Sequence, residues 1–78
     1  MGEYKYLSFI ELKPKPKTKV FAVKNKLYED ILGYVKWYGP WRKYCFFPHP
    51  VPGLVFDAGC LEDIQKFINE QMLERREG

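Results

Sequence analysis

The side chains of this sequence best suited to chemistry are cations set among rings. Between Leu32 and Pro48 stand Tyr34, Lys36, Trp37, Tyr38, Trp41, Arg42, Lys43, Tyr44, Phe46 and Phe47. Cations follow phosphates and rings stack on bases, so basic side chains interleaved with aromatics are what a single-stranded nucleic-acid surface requires. The candidate binding set is Tyr34, Lys36, Tyr38, Trp41, Arg42, Lys43 and Tyr44, with Lys19 and Lys24 as further cations. Plainer explanations stand beside it. Lysines on strand edges and outer faces keep sheets from pairing with one another, and rings in a small domain fill its core. Arg42, between Trp41 and Tyr44, suits a cation–π stack or an ion pair within the sheet as well as a phosphate.

Other chemistry has less support. Cys60 is expected near a helix N-terminus, where a thiolate is stabilised. Nucleophilic catalysis would also need a positioned base, and His49, the single histidine, sits in a loop held by Pro48, Pro50 and Pro52. Cys60 also falls on an apolar stripe, as a buried inert thiol does. Asp57 reads as a helix cap, and Glu62 and Asp63 point to different sides of that helix. Gly-rich phosphate loops, a DxD motif and a Ser-His-Asp set are missing from the sequence. Cys45, Cys60 and His49 fall short of a four-ligand zinc site and have no CxxC or HxxxH spacing. The expectation is a binding chain with no enzymatic activity, no cofactor, no metal and no disulfide.

The elements that must hold these residues are few. Seventy-eight residues allow one domain near the size where a single core is barely sufficient. Six Phe, six Tyr and two Trp compensate, because each ring buries a large area. Strand-like patterns cover about 4–12, 18–25, 31–38 and 41–47, with a short one at 54–56. Alternation puts Ile31, Gly33, Val35 and Trp37 on one face of the third strand, and Leu32, Tyr34, Lys36 and Tyr38 on the other. Gly33 inside a strand marks a bulge or a close ring contact. Lys13-Pro14-Lys15-Pro16-Lys17 reads as a linker, Asn25 to Asp30 as a turn, and Gly39-Pro40 as the turn of a hairpin. Asp57 caps a helix over about 58–75. Its apolar stripe is Cys60, Leu61, Ile64, Phe67, Ile68 and Met72, with Glu62, Asp63, Lys66, Asn69, Glu70 and Glu74 opposite and Glu62 placed to pair with Lys66. The fold class is therefore α+β: a four- to five-stranded antiparallel meander packed on one C-terminal helix.

Charge divides along the chain. Residues 1–56 hold ten Lys or Arg and four Asp or Glu, for +6, whereas residues 57–78 carry −3. Positive charge thus belongs to the sheet and its loops. The partners expected are a single-stranded nucleic acid or a protein, including a second copy, since one helix covers only one sheet face. No run approaches the eighteen apolar residues of a membrane span, and the first residues lack the apolar core of a signal peptide. A cytoplasmic location is expected.

The hairpin carries a resemblance. Leu32, Gly33, Val35, Trp37 and Tyr38, then Trp41, Arg42, Tyr44, Phe46 and Pro48, then Cys60, Leu61, Asp63 and Ile64 match a pattern of small uncharacterised proteins of phages, prophages and prokaryotes. The match covers about residues 18–70, and the resemblance implies no assigned function. In topology alone, four strands followed by a helix look like the fold of the single-strand-binding coactivator positive cofactor four. That fold dimerises through its helix and binds single strands on a curved sheet.

Overall fold

A computed structural model describes residues 4–12, 18–28 and 30–77. Its elements are β1 (Leu7–Glu11), β2 (Phe21–Asn25), β3 (Ile31–Tyr38), a 3-10 turn (Gly39–Trp41), β4 (Lys43–Pro48) and α1 (Ala58–Glu77). The strands form one antiparallel sheet in the order β1-β2-β3-β4. The fold is thus the α+β meander with one C-terminal helix. The Lys13–Lys17 linker lies outside the described residues.

Tight turns make two of the three strand connections. Asn25 accepts hydrogen bonds through its side-chain Oδ1 from the N–H groups of Leu27 (2.8 Å) and Tyr28 (3.1 Å), an Asx arrangement that turns the chain on itself. The Asn25 N–H donates to the Asp30 carbonyl (3.0 Å) and closes that turn. At the other hairpin, Pro40 opens the 3-10 turn and Arg42 closes it in the left-handed region, at φ 56° and ψ 47°. Trp41 belongs to this turn, so β4 starts two residues later than alternation suggests.

The faces follow from the register. Leu7 and Phe9, Phe21 and Val23, Val35 and Trp37, and Tyr44 and Phe46 share the face under α1. Leu7, Val23 and Val35 are fully buried there. Phe67 of α1 is the hub: it stacks on Phe9 at 4.1 Å and meets Phe21 edge-on at 4.7 Å. Ile64 is buried beside it, with Ile68 and Met72 packed against the same core.

Several expectations are corrected. A register shift opposite Val23 and Lys24 leaves Leu32 without a partner across β2, so Leu32 is buried in the core and Ile31 is exposed, the reverse of simple alternation. Gly33 meets both conditions read from the sequence. It adjoins this bulge, and a Cβ there would stand 2.4 Å from the Phe47 carbonyl oxygen and 2.8 Å from the Phe46 ring. Residues 54–56 form no strand. They follow prolines that lack a donor and a Gly53 at φ 87°, and Leu54 and Phe56 serve instead to pack against the core.

Further corrections lie in the helix. Asp57 caps it as expected, its Oδ1 accepting from the Cys60 N–H at 2.9 Å. Asp63, however, is buried, and its Oδ2 accepts from the Tyr6 N–H at 2.9 Å. That amide precedes the β1 ladder and needs an acceptor. Leu61 in turn is exposed although it lies on the apolar stripe. Lys19 pairs with Glu74 at 3.8 Å, and the Glu62–Lys66 pair does not form.

Candidate nucleic-acid interface

The sheet face turned away from α1 is built by the other half of each strand's alternation. Across the sheet, Ser8 pairs with Lys24, Ile10 with Ala22, Ala22 with Tyr34, Tyr34 with Phe47, Lys36 with Cys45, and Tyr38 with Lys43. Three lysines therefore stand on this face from three different strands, with Tyr34, Tyr38 and Phe47 between them. Trp41 projects from the β3–β4 turn at the same end as Tyr38 and is 65% exposed.

The rings are braced against one another. Trp41 meets Tyr38 edge-on at 5.2 Å, and Tyr38 meets Phe47 at 5.9 Å. The Lys36 ammonium lies over the Phe47 ring, 4.6 Å from its centre. Phe47 thus positions a cation, an attraction between charge and ring quadrupole, while Trp41 stays exposed and Tyr38 is half-buried. At the far end of β3, the His49 ring stands 6.4 Å from Tyr34, and the backbone N–H of His49 donates to the Leu32 carbonyl (2.9 Å).

Of the seven residues in the candidate set, six come together on this face or its turn: Tyr34, Lys36, Tyr38, Trp41, Arg42 and Lys43. Tyr44 does not. It faces α1, is only 5% exposed, packs edge-on against Trp37 at 5.4 Å, and its hydroxyl accepts from the Lys19 N–H at 3.2 Å. A single residue of offset along a strand changes the face. Phe47 and His49 lie outside the candidate set, although alternation from Lys43 places Phe47 on this face. Arg42 forms neither a cation–π contact nor an ion pair among the described residues. The arginine that stacks on this hairpin is instead Arg75, 4.1 Å above Trp37 on the helix side.

A concave region opens at the N-terminal end of α1. It is a cleft of about 420 Å³ among Lys5, Tyr6, Asn25, Lys26, Leu27, Tyr28, Asp57 and Cys60. Its polar groups are largely committed: Asn25 to its own turn, Asp57 to the helix cap, and the Lys26 ammonium to the Tyr4 carbonyl. Burial pushes the Cys60 thiol up, with the Asp57 carboxylate adding to the effect, which disfavours a thiolate. His49 is beside Tyr34 rather than in this cleft. Among the described residues no three His, Cys, Asp or Glu gather as metal ligands would, and no helix is long and apolar enough to cross a membrane.

No family model matches the chain, and no solved structure does. The chain is 42% identical over 73 residues to an uncharacterised 9.3 kDa protein of Acholeplasma phage L2, an alignment covering 92% of this chain and 91% of the relative. With that identity over nearly the full length of both, the chain belongs to the family of this small uncharacterised phage protein.

Proposed function

We propose that this chain is a small binding module for single-stranded nucleic acid, acting through the sheet face opposite α1. The observation that carries the reading is the convergence of Lys24, Lys36 and Lys43 with Tyr34, Tyr38 and Trp41 on one face. Cations supply affinity for any polyanion, and exposed rings add stacking with bases, which is worth about 1–3 kcal/mol per base. The likeness to positive cofactor four is one of topology and supports the reading by analogy alone.

The test is fluorescence anisotropy of a labelled fifteen-residue oligothymidylate, titrated with the full chain at low and high salt. Saturable binding at low salt that weakens with salt is expected, with Trp41→Ala reducing affinity at constant fold. Polyglutamate, a polyanion without bases, should compete poorly. No binding at low salt, or binding indifferent to salt and to Trp41→Ala, would sink the reading.

A second reading, a homodimer or protein-interaction module without a nucleic-acid role, draws on the outer side of α1. Leu61 and Leu73 are 53% and 56% exposed there. Sedimentation at increasing dilution separates the two: a dimer that persists and does not bind the oligonucleotide favours the second.

A further inference from the structure

The cations on the open face are not scattered. Lys24 lies on β2 at the level where β3 begins, since it pairs with Ile31. Lys36 lies on β3, one strand over and further along, and Lys43 lies on β4 opposite Tyr38, where β3 ends. The three cations thus mark a diagonal, with Tyr34 and Tyr38 along its course and Trp41 at its upper end. The corner off this diagonal is apolar: Ile10 and Leu12, at the β1 edge, are exposed and uncharged. Seven residues along β3 rise about 23 Å, and crossing two strand spacings adds about 10 Å sideways, so the diagonal runs about 25 Å.

We infer that a single strand crosses this face diagonally, from Trp41 at the β3–β4 turn to Lys24 on β2, and occupies about four nucleotides, the low end for a platform of this kind. This rests on the nucleic-acid reading above and adds to it a path, two distinguishable ends and a length. The turn end stacks a base on Trp41 and meets phosphate at Lys43. The middle meets phosphate at Lys36, whose ammonium Phe47 holds in place. The far end meets phosphate at Lys24. Lys26 follows Lys24 by only two residues but stays off the path, because its ammonium is tied to the Tyr4 carbonyl on the side of the cleft.

The experiment is an anisotropy series with labelled dT2, dT4, dT6 and dT15 against the full chain and the variants Lys24→Gln, Lys36→Gln, Lys43→Gln and Lys26→Gln. Circular dichroism checks that each variant is folded, and Lys24→Met provides a second neutral variant if Lys24→Gln is not. Affinity should climb from dT2 to about dT4 and then only slowly. For dT6, each of the three variants on the diagonal should lower the salt slope by about 0.7, the share of one phosphate contact on a single strand, with Lys26→Gln leaving it unchanged. For dT2, held at the Trp41 end, Lys24→Gln should have no effect. If Lys26→Gln weakens dT6 as much as Lys24→Gln, or if Lys24→Gln acts equally on dT2 and dT6, the diagonal is overturned while the binding face stands. Failure of dT15 to bind at all overturns both.

Discussion

Arg42 holds a backbone conformation that costs an ordinary side chain about 1–2 kcal/mol. The cost is accepted at the tip of the turn, beside the most exposed ring of the open face, and strain of this kind gathers at sites of function. Arg42→Gly should therefore leave the melting temperature unchanged or raise stability by up to about 1 kcal/mol. It should at the same time weaken oligonucleotide binding, and Arg42→Lys should restore part of it. Thermal melts and anisotropy on the same samples check the pair of outcomes, and a loss of stability in Arg42→Gly would contradict the strain argument. Tyr4 offers a test of a different kind. Burial, and then its hydrogen bond to Glu70, push its hydroxyl well above the usual tyrosine range. A group raised in the folded state stabilises the fold fully below its unfolded pKa, and that stability is lost as pH rises beyond it. Stability of the native chain should thus decline from about pH 10 upward, and Tyr4→Phe should decline less steeply. Urea melts between pH 9 and 11.5 measure the difference.

Among the elements, α1 and the sheet depend on a few contacts between them. Phe67 gathers Phe9, Phe21 and Tyr4 around one ring. Phe67→Ala should cost about 3–5 kcal/mol, most of what a domain of this size has to spare. Asp63 joins α1 to the start of β1 through the Tyr6 amide. Asp63→Ala should destabilise by about 1–3 kcal/mol, because a donor at a part-buried joint loses its acceptor. The two variants differ in kind: the first should soften the whole core, whereas the second should speed amide exchange chiefly at Tyr6 and the β1 residues after it. Chemical denaturation and hydrogen exchange by NMR distinguish them.

At the scale of the molecule, sequence position separates charge and the fold then separates faces. Lys24, Lys36, Arg42 and Lys43 lie on or beside the sheet face opposite α1, whereas Asp57, Glu62, Asp63, Glu70 and Glu74 belong to α1 and its cap. A dipolar arrangement of this kind steers a polyanion toward one side. If four cations each meet a phosphate, log K for a single strand should fall with log salt at a slope of about −3. A slope near zero, measured between 50 and 300 mM salt, would mean that the contact is not with phosphates.

The order of elements, the cap at Asp57, the place of Phe67 on the apolar stripe of the helix and the peculiarity of Gly33 were all legible in the sequence. These are local matters, set by alternation, by helical period, by turn residues and by the lack of a side chain where rings approach. The face on which Tyr44 lies, the inward turn of Leu32, the burial of Asp63 and the pairing of Lys36 with Phe47 were decided only by tertiary structure. Each depends on register. One bulge or a two-residue turn shift moves a side chain through the plane of the sheet, and a carboxylate on a helix is solvated or buried according to which backbone amide the neighbouring strand leaves unpaired.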